Sequence, residues 1–591
     1  MHHGKKNDKA KDFKGSMLKL IKHCKPYLPL IIVALCASMV SSICSIIGPD
    51  KLKEMTDVIT SGIVTGIDLE KVAEIGLFLV ILFTTSLVLN YLGSFIMVTV
   101  TNKFSKSLRS QISQKINRLP LKFFDNTTVG DILSRVTNDV DTIGQSLNES
   151  IGTLISASTM FVGSIIMMFV TNWILAIVAI LASVLGFGLM IFILGRSQKY
   201  FTRFQNQLGD INGVIEETFT GHNVIKAYNA EKEINQKFDR ANHRLFDSAR
   251  KSQFYSGLMQ PIMNFIGNFG YVAVCVVGAA LTMNGTISFG VIVAFIIYVR
   301  LFTQPLSQFA QSFTELQSTA AAAERVFGFL DQPEMPSENH ITTKLNPNKV
   351  RGDITFEKVN FSYDESRPII KNFTADIKAG QKVAIVGPTG AGKTTIVNLL
   401  MRFYDIDNGD IKIDGTSIKN LTRENLHDLF TMVLQDTWLF EGTIKENLRY
   451  NQQNITNEQI EKACKTVGAD HFIRTLPKNY DSILDDIDSL SAGEKQLLTI
   501  ARATLKKSPF LILDEATSSV DTRTEELVQV AMDNLTKGRT SFIIAHRLST
   551  IKNADLILVM KDGNIIEQGT HKKLLAKKGF YADLYNSQFA K

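Results

Sequence analysis

Lys382-Val-Ala-Ile-Val386, followed without a break by Gly387-Pro388-Thr389-Gly390-Ala391-Gly392-Lys393-Thr394-Thr395, is the stretch that decides how this chain is read. The first five residues have the character of a short buried strand, the next are a glycine-rich turn, and Ile396 to Met401 begins a helical run. This order matches Gly-x-x-x-x-Gly-Lys-[Ser/Thr] in the strand, loop and helix context that the pattern requires. Glycines let backbone N–H groups wrap a phosphate at a helix N-terminus. Lys393 adds a compact positive charge, and Thr394 offers a hydroxyl to magnesium.

A second buried strand is expected at Phe510-Leu-Ile-Leu-Asp514-Glu515, an apolar run ending in two carboxylates. Position along the strand divides their roles. Asp514 is placed to hold magnesium through water, and Glu515, one step beyond, to polarise an attacking water as general base. Short β-branched strands alternate with helical stretches throughout residues 351–591, which predicts a parallel α/β sheet.

Upstream the chain changes character. Six apolar runs are long enough to cross a bilayer, near 28–48, 75–100, 151–172, 174–195, 258–283 and 288–312. The third and fourth are separated only at Asn172 and Trp173, which forces a tight turn at a membrane face. Lys103, Lys106, Arg109, Lys115, Arg118 and Lys122 make the stretch after the second run basic, and Arg196, Lys199, Arg203, Lys226 and Lys251 mark the one after the fourth. By the positive-inside rule both belong in the cytoplasm, with both chain ends. The predicted class is therefore multidomain: an α-helical six-span transmembrane domain followed by an α/β phosphate-loop domain. The expected boundaries are a basic tail at 1–16, the membrane domain at 17–330, a proline-bearing linker at 331–350 and the nucleotide-binding domain at 351–591.

Among 591 residues the formal net charge is +7. Residues 1–25 hold eight Lys against two Asp, so the excess sits beside the first apolar run and serves membrane orientation. No interleaving of aromatic and basic residues points to nucleic acid. The five cysteines, Cys24, Cys36, Cys44, Cys275 and Cys464, have no paired spacing and read as free, buried thiols.

With these residues in order, the chain resembles a half-transporter of the exporter type in the ATP-binding cassette (ABC) family, from about residue 17 to residue 588. Further motifs carry the resemblance. Tyr363, in Val359-Asn-Phe-Ser-Tyr363, matches the aromatic that stacks on adenine, and Gln435 matches the residue joining the magnesium site to the membrane domain. Leu490-Ser491-Ala492-Gly493-Glu494 stands where the family signature lies, Asp521 matches the loop crossing the dimer interface, and His546 matches the histidine that contacts the γ-phosphate. Phe124-Asp125, Gly130-Asp131, Arg135 and Asn138-Asp139 look like the first cytoplasmic loop, and 216–226 like the second.

The resemblance implies catalytic roles for Glu515, His546, Gln435 and Lys393, and ATP binding by Tyr363 and residues 387–395. It implies magnesium at Thr394, Gln435 and Asp514. It also implies two chains, since ATP lies between the phosphate loop of one and the signature of the other. Ala492 and Glu494 depart from the usual Leu-Ser-Gly-Gly-Gln, and a carboxylate near a triphosphate is unfavourable unless screened or turned away. Hydrolytic groups intact beside a weakened signature imply one half of a heterodimer, with a homodimer as the alternative. The activity expected is ATP-driven export of amphipathic or hydrophobic compounds, such as drugs, lipids or peptides, across a bacterial cell membrane. Uptake by an exporter-type architecture and a non-transport regulatory role are the alternatives. Asn90, Gln260, Asn264 and Asn268 are isolated polar residues in the spans that either face the path or serve helix packing.

Overall fold

The computed structural model describes residues 10–364, 366–434, 437–452, 454–484, 490–514, 522–544 and 551–589. The chain divides into two compact units, Met1–Asn117 with Val129–Gln332, and Arg118–Thr128 with Pro333–Lys591.

In the first unit six helices carry the apolar runs, Leu28–Thr65, Leu69–Ile116, Val140–Thr171, Trp173–Thr220, Met259–Met283 and Phe289–Leu330, beside the polar helix Glu231–Gly257. Among the described residues five helices are long and apolar enough to cross a membrane, and in the fourth of the six the described apolar stretch is Trp173–Val184. The basic stretches after the second and fourth apolar runs begin as continuations of the same helices. The second and fourth helices are each 48 residues long, about 70 Å at 1.5 Å per residue against a hydrocarbon core of about 30 Å. Between residues 100 and 116 the chain offers Lys, Arg, Ser and Gln with no Pro or Gly, so nothing stops the helix where the apolar residues end. Likewise the first helix runs on past Pro49 to Thr65, through much of what reads as an external connection.

The turn between the third and fourth helices falls at Asn172, whose backbone is extended and whose side chain accepts from the N–H of Leu175 at 3.0 Å. An ion pair ties the stretch between the second and third long helices to the sixth: Arg325 donates to both oxygens of buried Asp139, at 2.9 and 2.6 Å. At the far end, Asp57 of the first helix accepts from the Ser288 hydroxyl at 2.8 Å and from the Gly290 N–H at 2.9 Å, capping the sixth helix. A Cβ at Gly290 would lie 2.4 Å from the Lys53 carbonyl oxygen, so the two helices approach at a distance only glycine allows.

Ten strands are described in the second unit: β1 (Ile354–Asp364), β2 (Arg367–Ile377), β3 (Lys382–Val386), β4 (Asn408–Ile413), β5 (Thr416–Ser417), β6 (Phe430–Val433), β7 (Phe510–Asp514), β8 (Thr540–Ile544), β9 (Leu556–Lys561) and β10 (Asn564–Gly569). Six form a sheet in the order β10-β9-β3-β8-β7-β6, parallel except for the β10 edge. The other four form an antiparallel sheet, β2-β1-β4-β5, which the strand and helix alternation did not foresee.

Strand burial explains the continuous apolar runs. Along β7, Phe510 and Ile512 enter one core and Leu511 and Leu513 the other, and β3 and β9 alternate in the same way. A strand covered on both faces has no polar side to show, so its sequence cannot alternate.

Candidate nucleotide site

The parallel strands bring their carboxyl ends to one edge of the sheet, where a ligand crevice forms in open α/β folds. Register fixes the levels: Ile385 of β3 pairs with Ile544 of β8, and Ile544 pairs with Asp514 of β7. The last residues of β3 and the Asp514 carboxylate thus stand level, one strand apart.

Beyond Val386 the chain passes beneath β9. A Cβ at Gly387 would sit 2.3 Å from the Met560 carbonyl oxygen, so a side chain there would force the loop off the sheet. Gly392 has φ +96° and caps the helix Lys393–Leu400 without any side-chain acceptor. The first N–H groups of that helix are therefore left for an external anion. Pro388, Thr389 and Gly390 are exposed and Ala391 is buried beneath them.

Lys393 arches back over its own loop, its Nζ donating to the carbonyls of Gly387 at 2.8 Å and Pro388 at 3.1 Å. Burial lowers the pKa of this ammonium, and the negative charge of Asp514 opposes that shift. Asp514 itself is only 8% exposed at the end of β7. Thr394 is exposed in the first turn of the helix, while Thr395 is buried behind it. An exposed hydroxyl and a buried carboxylate level with the phosphate loop are oxygen ligands of the kind a hard cation takes.

Tyr363, near the end of β1, donates to the Thr395 hydroxyl at 3.4 Å. Its ring meets Phe361 edge-on at 4.8 Å and Tyr404 at 5.0 Å. The Tyr404 hydroxyl in turn donates to the Asp125 carboxylate at 2.9 Å. Asp125 closes the short helix Leu121–Asp125, which belongs to this unit. Burial and the Asp125 carboxylate both push the Tyr404 phenol above its ordinary pKa.

Ser491 is the N-cap of the helix Ala492–Leu505. Its hydroxyl donates to the Glu494 carboxylate at 2.9 Å, its N–H to the same oxygen at 2.8 Å, and the Glu494 N–H returns to the hydroxyl at 3.3 Å. Glu494 therefore points back along the chain rather than outward. Ser491 and Ala492 remain exposed, and Gly493 is buried. Gln435, Glu515, Asp521 and His546 lie outside the described residues, as do 485–489 and 518–520.

Comparison with known proteins accounts for both units. Residues 31–306 match the ABC transporter transmembrane region, and residues 370–518 match the ABC transporter family. The uncharacterized ABC transporter ATP-binding protein YfiC of Bacillus subtilis (strain 168) is 40% identical over 589 residues, covering 99% of this chain and 96% of that protein. The fatty acid ABC transporter ATP-binding/permease protein of Mycobacterium tuberculosis (strain CDC 1551 / Oshkosh) is 39% identical over 613 residues, covering 97% and 96%. The ATP-dependent lipid A-core flippase of Syntrophus aciditrophicus (strain SB) is 32% identical over 596 residues, covering 99% and 97%. This chain belongs to the ABC transporter family. It is a multi-pass membrane protein of the exporter type, binds ATP, couples its hydrolysis to transport and works as a dimer.

Proposed function

We propose that this ABC transporter is the hydrolytically intact half of a heterodimeric exporter moving amphipathic or hydrophobic compounds outward across a bacterial cell membrane. Two of its relatives are a fatty acid transporter and a lipid A-core flippase, and amphiphiles of that kind are the substrate class favoured here. Both chain ends lie in the cytoplasm in this reading, as the basic stretches require. The domain boundaries proposed remain 17–330 for the membrane part, 331–350 for the linker and 351–591 for the cassette.

The observation that carries the reading is the level placement of the phosphate loop and Asp514 on the parallel sheet. ATP phosphates lie in the loop 387–395 and accept from its free backbone N–H groups, with the Lys393 ammonium against them and Tyr363 facing the adenine. Thr394, Asp514 and Gln435 hold magnesium, which when bound neutralises charge on the phosphate oxygens. Glu515 takes a proton from the attacking water, His546 contacts the γ-phosphate, and Asp521 lies in the interface loop. Each cassette offers residues 491–494 to the nucleotide of its partner. Closure of the pair on ATP, and its release after hydrolysis, shifts the membrane helices between two access states.

The Glu515→Gln variant, purified with its native partner, tests the assignment of the base. ATP binding is expected to persist while turnover falls at least about a hundredfold, the range of a general base. Sustained turnover would remove Glu515 from the role.

A homodimer is the second reading, favoured by the inward fold of Glu494 onto Ser491, which lessens repulsion of a facing triphosphate. Native mass measurement of the complex taken from its own membrane distinguishes one kind of chain from two.

A further inference from the structure

Where the apolar part of the fourth long helix ends, bases and aromatic rings gather without an acid among them. That helix begins at Trp173, whose indole suits one membrane face. Arg196 and Arg203 lie about 35 and 45 Å farther along its axis. In a bilayer about 40–45 Å thick with its polar layers, that is the head-group level of the opposite leaflet. No Asp or Glu occurs at 173–209 or at 248–283. Phe192, Arg196, Lys199 and Arg203 recur at spacings of four, three and four, so they share one face, and all are exposed.

The polar helix Glu231–Gly257 brings a matching set to the same level. Tyr255 stacks on Tyr200 with ring centroids 5.2 Å apart and planes 7° from parallel, and the Lys251 ammonium lies over the Tyr200 ring at 5.9 Å. Phe254 meets Tyr255 edge-on at 5.6 Å and is itself exposed. Arg196 lies over Phe192 at 5.8 Å and Arg250 over Phe246 at 5.9 Å. These cations are set against rings rather than carboxylates. Farther from the apolar runs the same two helices change character: acids and bases interleave, and Lys237 donates to Glu217 at 2.6 Å. Orienting a chain in a membrane requires bases alone. Here two helices converge bases on one stacked tyrosine pair, with exposed phenylalanines beside it.

We propose that the face around Tyr200 and Tyr255 binds the phosphodiester head group of an anionic phospholipid, held as a resident lipid and not as cargo. Arg196 and Lys251 supply charge to the phosphate from separate helices, and Lys199 adds to the field. The exposed rings of Phe192 and Phe254 cover the glycerol and upper acyl region, at the depth that aromatic side chains favour. A small soluble anion would leave those rings uncovered. The inference holds whichever way cargo moves.

In the test, the delipidated dimer in detergent is titrated with dioleoylphosphatidylglycerol and with dioleoylphosphatidylcholine, and bound lipid is read by native mass spectrometry. The wild type is expected to bind the anionic lipid at least about tenfold more tightly, since more than one base contributes. R196Q and K251Q are each expected to lower that preference about fivefold, the worth of one base beside an anionic head group, while R196K and K251R keep most of it. K232Q removes an exposed base from the same helix as Lys251, about 28 Å away, and is expected to leave the preference unchanged. Equal binding of the two lipids by the wild type, or an equal loss in K232Q, overturns the site. A preference that survives intact in an assembled R196Q or K251Q does the same, and because the two residues lie on separate helices, either variant decides alone. Dissociation of the dimer in both assigns the face to the partner subunit and overturns the lipid.

Discussion

The Ser491 hydroxyl and the Glu494 carboxylate hold one another at 2.9 Å across the first turn of the signature helix. Each satisfies an N–H group that the helix start would leave open, so the pair is a reciprocal cap. Glutamine at the same position keeps both hydrogen bonds and removes the charge. E494Q is therefore expected to leave the thermal midpoint unchanged and to raise ATP turnover of the assembled dimer. E494A is expected to destabilise the cassette by about 1 kcal/mol, the usual cost of a lost cap, visible as a lower midpoint.

Tyr404 lies between the Tyr363 ring and the Asp125 carboxylate. Y404F keeps the ring contact and loses the hydrogen bond. A cycle of Y404F, D125A and the double variant, read by thermal unfolding, is expected to give a coupling of about 1 kcal/mol, the modest value for a partly exposed hydrogen bond. Additive effects would show that the two groups do not interact in solution.

Arg325 is expected to be less replaceable than its surface position on the helix implies. Asp139 has a side chain only 6% exposed and depends on both guanidinium nitrogens. R325A leaves that carboxylate buried without its cation, a loss of about 3–5 kcal/mol. Detergent-solubilised R325A should unfold well below wild type, and adding D139N should restore part of the difference.

His427 makes the cassette sensitive to acid. Its imidazole faces the Met401 carbonyl at 2.9 Å; burial lowers its pKa, that hydrogen bond opposes the shift, Lys506 and Arg423 add to it, and Glu338 opposes it to a smaller extent. In the unfolded chain the ring binds a proton near pH 6.5; in the folded chain it does so only at lower pH. The depressed value means that stability is full above the unfolded pKa and falls as pH drops below it. H427Q is expected to flatten the fall in thermal midpoint between pH 7 and pH 5 relative to wild type.

Much of this was legible in the sequence because the features are local. Lys382–Val386 and the helix at Lys393 follow from apolar residues and glycines in immediate succession, and the helix starts at Leu28, Trp173, Met259 and Phe289 follow from hydropathy, whereas those at Leu69 and Val140 lie in polar sequence ahead of the apolar runs. Glu494 was open to a fuller reading: Ser-x-x-Glu before a helix is a capping box, which the concern with its charge obscured. The partnership of Tyr404 with Asp125 joins residues too far apart in the chain for any local pattern to record. The antiparallel sheet was hidden for a similar reason: pairing direction is decided by neighbours, not by a strand's own residues.

Asp57 grips the start of the sixth helix so closely that the first and sixth helices form a single plank where they meet. Whatever doorway opens between the spans, its jambs run along other seams.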